Sequence, residues 1–184
     1  MSPYLLLNLS KVMDDFTIIL KEIMKHYNMS SKIQLTEKIH NDMLVHLMDR
    51  CLRVASHLIP PCASESAIKR ADKHNIDLFK LREKDRNKVE ANIKKLDIKD
   101  NEKFILEHYL PVNHIIKEII AEKSPTLNTY ENALKKLKVV WVLKSEDDKL
   151  NKNGHRKNRP NPEEAYQKAG IKILPNRYGQ NWLN

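Results

Sequence analysis

The chain has 184 residues and carries 33 Lys+Arg against 24 Asp+Glu, a formal net charge of +9. That length suits one domain or two small ones, and it can bury most of its apolar side chains without disulfide or metal staples. Only three glycines occur, which excludes the glycine-rich phosphate loops of dinucleotide and P-loop enzymes, and no apolar run approaches the roughly 20 residues that span a bilayer.

A basic balance with a pI near 9.4 attracts polyanions, of which nucleic acid is the commonest in a cell. Cys51 and Cys62 lie in no metal-ligand spacing. They read as reduced, half-buried thiols in a cytoplasmic protein. The opening MSPYLLLNLSKVMDDF has no basic residue ahead of its leucines and soon carries Asp14 and Asp15, unlike a secretory signal.

In chain order, Leu9, Val12, Met13, Phe16, Ile19, Leu20 and Ile23 follow the three-four spacing of one buried helical face. Ser30 or Ser31 then offers an N-cap. Leu35, Ile39, Met43, Leu47, Cys51, Leu52, Ala55 and Leu58 share a face of a second helix of about seven turns, which Pro60 and Pro61 stop. SESAIKRADKHNIDLFKL reads as a shorter helix with Ser64 or Ser66 near its start. Residues 81–103 are highly charged and weakly periodic, a linker or exposed excursion.

After residue 103 the character changes. KFILEHYLP reads as a short strand, 113–122 and 126–137 as short helices, and KVVWVL at 138–143 as the best strand in the chain. SEDDKLNKNG starts with a Ser cap and first-turn acids, a helix start, and is ended by Gly154. PEEAYQKAGI has Pro162 at its first position and Gly170 at its end, again a helix. The expected fold class is therefore α+β, mainly α. A helical bundle over 1–80 precedes the charged segment 81–103 and a small α+β module over 104–184 with one or two short strands.

Three constellations carry chemistry. Glu107-His108, followed by Pro111, closes an apolar run; a His has its unperturbed pKa near working pH and suits a general base. Because neighbouring strand residues point to opposite faces, bringing the pair together requires a bend. Asp147 and Asn151 are four apart, on one face of the expected helix, and oxygen donors of this kind suit Mg²⁺ or Mn²⁺. Lys149, Lys152, His155, Arg156, Lys157 and Arg159 follow with no acid among them, a basic loop for phosphate contacts.

EHYLP, VVWVLKSEDDKLN and RPNPEEAYQKAGI together resemble a motif series in small bacterial and phage proteins, and through them the HNH, or ββα-metal, endonucleases. The resemblance covers about 104–171. It implies metal-dependent cleavage of DNA, ahead of RNA, with His108 and Glu107 as catalytic residues. Glu107, Asp147 and Asn151 would be the ligands of Mg²⁺ or Mn²⁺, with Asn151 standing where the family usually has a second His. The two helices between Pro111 and Val139 depart from a compact HNH hairpin. In this reading the N-terminal helices serve homodimerisation or target contacts.

Two alternatives remain open from the residues. Arg50, Arg53 and His57 share a helix face and resemble the Arg-His pair of the HEPN ribonucleases, which would act on RNA without metal. The helical layout of the first third also resembles a core histone, a binding protein without chemistry. A strand at 138–143 would argue against a second histone-like unit; one continuous helix over 126–152 would favour it.

Overall fold

The computed structural model describes residues 18–19, 21–22, 25, 36–56, 59–81, 99–122, 126–156 and 158–178. The N-terminal helix expected before residue 24 falls mostly outside these, as do both cap serines, most of the charged segment and the C-terminal Trp182. The chain forms two compact units: residues 1–56 with 112–137, and 57–111 with 138–184. This partition cuts across the expected division at 80 and 104. The helices at 112–137 belong with the N-terminal part, although a strand of the other unit precedes them. Among the described residues no helix is long and apolar enough to cross a membrane.

The first unit is helical. Helix α1 spans Thr36–Ser56 and buries Met48, Leu52 and Ala55; Leu52 and Ala55 lie on the expected face, whereas Leu47, also expected there, is exposed and Met48 is buried in its place. Helix α3 (Val112–Ala121) starts directly after Pro111 and buries Val112, Ile115, Ile116 and Ile119. It packs against α1 and against α4 (Leu127–Lys135). Thr126 and Thr129 form a capping box at the start of α4, satisfying amide donors that the first helical turn leaves open.

The second unit is built on a four-stranded sheet of β1 (Cys62–Ser64), β2 (Phe104–His108), β3 (Val139–Leu143) and β4 (Ile173–Leu174), in the order β2-β3-β1-β4. β1 and β3 are parallel, and both edge strands run antiparallel to their neighbours. Helix α2 (Glu65–Asp72) follows β1, α5 (Lys144–Lys152) follows β3, and α6 (Pro162–Lys168) precedes β4. The architecture is α+β and mainly helical, as expected, but among the described residues 104–184 holds three strands rather than one or two, and a fourth, β1, lies in the part expected to be a helical bundle. β1 and β4 are three and two residues long, too short to show the period-two pattern that marks a strand.

Alternation along the strands divides the core in two. Ala63, Phe104 and Trp141 face Ala67 and Ala71 of α2, together with Leu78 and Phe79 of a 3-10 turn (Leu78–Lys80). Val140 and Val142 face Leu150 of α5 and Tyr166 and Ala169 of α6. β3 is apolar on both faces because both are covered. Trp141, fully buried, donates its indole N–H to the Leu81 carbonyl at 3.1 Å.

The two parallel strands turn into helices with no intervening loop, and one carboxylate serves both turns. Ser64 caps α2, its hydroxyl oxygen accepting the Ala67 N–H at 3.0 Å. The same hydroxyl donates to Glu146 Oε2 at 2.5 Å, and Glu146 Oε2 also accepts the Leu143 N–H at 2.9 Å. Ser145, expected to cap α5, lies inside its first turn; the N-cap residue is Leu143, and buried Glu146 does the capping. Gly154 and Gly170 follow α5 and α6 with φ of +79° and +69°, left-handed conformations that glycine adopts without penalty.

Glu146→Ala leaves the Ser64 hydroxyl and the Leu143 amide without their shared acceptor. Urea unfolding is expected to show a loss of about 2–3 kcal/mol, with a smaller loss for Glu146→Gln. An unchanged midpoint for Glu146→Ala would contradict this account of the paired turns.

Candidate functional site

β2 delivers Glu107 to the α5–α6 side of the sheet. Phe104 and Leu106 pack on the α2 side, and Ile105 and Tyr109 on the other. The β2–β3 register is unbroken through Glu107↔Val140 and His108↔Val139. Alternation therefore sets Glu107 on the Ile105 face and His108 on the opposite one. The bend that would bring the two together does not occur. The catalytic pairing of His108 with Glu107 is corrected on this ground: one regular strand cannot aim adjacent side chains at one point.

Asp147 and Asn151 lie on α5, the helix that packs against β2. The Asn151 amide donates to Asp147 Oδ2 at 3.1 Å, the i,i+4 contact read from the spacing. This bond leaves the amide oxygen of Asn151 available. Asp147 lies close enough to Glu107 to act on its ionisation: burial first, and then the Asp147 carboxylate, push the Glu107 carboxyl above its ordinary value, while Arg159 and Arg156 oppose the rise. Two of the expected metal ligands, Glu107 and Asp147, are thus within electrostatic reach of each other, and the third, Asn151, bonds to Asp147. Among the described residues no group of three or more His, Cys, Asp or Glu is gathered as a metal site.

Arg159 is the second correction. Instead of lining a solvated basic loop it is 2 % exposed. Its Nη2 donates to the His108 carbonyl at 2.6 Å and stands 3.7 Å from Glu107 Oε2. Its guanidinium also lies over the Tyr166 ring at 5.1 Å. A buried cation needs such partners, because desolvation makes an uncompensated one expensive. Of the other basic residues, Lys149, Lys152 and Arg156 are exposed and His155 is half-buried, while Lys157 lies outside the described residues.

Tyr166, whose function the sequence did not reveal, completes the site. It is 2 % exposed, and its hydroxyl has no hydrogen-bond partner among the described residues. Burial raises its phenol pKa; Arg159 opposes the rise, and Glu107, Tyr109 and Asp147 add to it. The hydroxyl is therefore a neutral donor at physiological pH. Arg159 and Tyr166 both belong to the RPNPEEAYQKAGI segment. Pro160 and Pro162 beside Arg159, and Ala165 and Ala169 beside Tyr166, were the available signs of a rigid loop and a buried helix face.

The rival constellations fare differently. Arg53 is half-exposed and paired with Asp49 at 2.8 Å, a bridge within one helix, and His57 lies outside the described residues. The strand Val139–Leu143 is incompatible with the continuous helix that a second histone-like unit needs. No family model, no curated protein and no solved structure matches the chain.

The raised Glu107 pKa has a direct consequence for stability. The folded state keeps the Glu107 proton at pH values where the unfolded chain has released it. Stability is therefore lost as pH rises from the ordinary value of 4.5 through the folded one. Glu107→Gln removes that loss. The variant is expected to melt at a higher temperature than the parent at pH 7 in EDTA, with the gap closing near pH 4. A lower melting temperature at both pH values would contradict the repulsive acid pair.

Proposed function

We propose that the chain is a metal-dependent endonuclease that cuts DNA at the Glu107–Asp147 site. The single observation that carries the reading is that the Asp147 carboxylate, in the first turn of α5 and bonded to Asn151, acts on the buried Glu107 carboxyl of β2, which Arg159 faces at 3.7 Å. The donor set fits a hard divalent cation. Mg²⁺ takes one or two carboxylates and keeps several waters, and Asp147 adds to the rise that burial gives the Glu107 carboxyl, a repulsion that a cation would relieve.

Asp147, Glu107 and the Asn151 amide oxygen would hold Mg²⁺ or Mn²⁺. When bound, such a cation supplies Lewis-acid stabilisation of the leaving phosphodiester oxygen. Glu107, as a ligand, would be ionised once the cation is bound, because adjacent positive charge favours the carboxylate. Arg159 holds Glu107 in position from behind. Lys149, Lys152 and Arg156, all exposed on α5 and the turn after it, grip backbone phosphates without reading sequence. The net charge of +9 favours encounter with the polyanion.

Supercoiled plasmid incubated with Mg²⁺, Mn²⁺ or EDTA tests this. The parent is expected to nick only with metal. Asp147→Asn and Glu107→Gln should slow nicking by about 100-fold or more, while His108→Ala stays within about threefold of the parent. Equal nicking in EDTA, or by Asp147→Asn, would refute the proposal; loss of cutting by His108→Ala alone would make the imidazole the base.

A further inference from the structure

Beside the carboxylate site lies an open cleft of about 660 Å³ that the cleavage reading leaves without a task. Tyr109 and Tyr166 form one wall, with ring centroids 5.0 Å apart and planes within 13°. Lys138 and Lys172 bring positive charge against the single acid Glu163, and Gln167 and Gly170 also line the rim. Tyr109 is half-buried, and the Lys138 ammonium lies over its ring at 4.2 Å. At Gly170 a Cβ would meet nothing within 4 Å, so the wall there is open.

We propose that this cleft binds one unpaired nucleobase of the DNA substrate, stacked on Tyr109, next to the phosphate to be cut. An aromatic platform backed by a second ring, with lysines around it, is the chemistry that holds single-stranded nucleotides: the ring takes the base and the cations take the backbone. Tyr166 connects the two places, since it forms part of the cleft and its ring lies under the Arg159 guanidinium that faces Glu107. Lys138 is the adjustable part. Its ammonium rests on the ring in the free protein, and its flexible stem lets it move to a phosphate when a base takes its place. The substrate is then duplex DNA with a bulged, flipped or frayed nucleotide, rather than fully paired DNA. Extruding a base costs least where it is already unpaired.

The inference rests on the nucleic-acid substrate of the preceding reading, and its test is run in EDTA so that cutting plays no part. Fluorescence anisotropy compares three labelled duplexes: fully paired, with one bulged nucleotide, and with the same bulge made abasic. The parent is expected to bind the bulged duplex about tenfold more tightly than the other two. Tyr109→Leu should erase that preference and Tyr109→Phe should keep it. Lys138→Met should weaken binding to the base-containing bulge more than to the other two and lower the salt slope for that duplex by about one. Equal affinity of the parent for the base-containing and abasic bulges overturns the stacking site, as does a preference that survives Tyr109→Leu. If Tyr109→Leu does not fold, the abasic comparison on the parent decides alone. A parent that nicks plasmid with metal but shows no preference for the bulge defeats this inference and leaves the nuclease reading standing; one that binds none of the duplexes defeats both.

Discussion

A buried guanidinium organises the chemistry of the second unit. Arg159 is tied to the carbonyl at the end of β2, faces the Glu107 carboxylate and lies over the Tyr166 ring. Without a cation there, Glu107 and Asp147 would be two acids facing each other across a partly desolvated space, and neither the end of β2 nor the loop before α6 would have its anchor. Arg159 stands 3.7 Å from Glu107. Burial first, and then Asp147, still keep the Glu107 carboxyl above its ordinary value although Arg159 and Arg156 both act to lower it.

The scaffold beneath the site is stiff where the chemistry requires it. β1 and β3 both pass directly into helices, and the buried Ser64–Glu146 pair closes both turns at once. Asp147 is the residue after Glu146. Its position is therefore set by a capping interaction rather than by a loop, and a group held on a packed element keeps its geometry better than one on a surface loop. β2 contributes Glu107 through a register paired residue by residue with β3. One acid thus rides on an edge strand and the other on a helix start, joined by the apolar layer of Val140, Val142 and Leu150.

Much of this was legible residue by residue. The β-branched run at Val139–Leu143, the glycines that end α5 and α6, Pro162 at the start of α6 and the Asp147–Asn151 spacing each report a local preference, and local preferences survive in the fold. The misses share a different cause: they depend on contacts between distant segments. β1 and β4 are strands only because β3 and β1 supply partners. The expected solvent exposure of Arg159 followed from its basic neighbours, yet burial is decided by where the His108 carbonyl and Glu107 end up, some fifty residues earlier. The position of His108 was half readable. Alternation separates it from Glu107 in any regular strand, and only an assumed bend could have joined them; the register shows that the strand stays regular. The interleaving of the two units was beyond local reading, since nothing in 112–137 marks those helices as partners of Thr36–Ser56.

The central claim is that Glu107 and Asp147 make one seat for a divalent cation. Titration of Mn²⁺ into the nucleic-acid-free protein, with free ion counted by electron paramagnetic resonance, tests it most directly. One bound Mn²⁺ per chain, displaced by excess Mg²⁺ and lost in both Glu107→Gln and Asp147→Asn, is the expected result. No bound ion in the parent, or equal binding by Asp147→Asn, would contradict it.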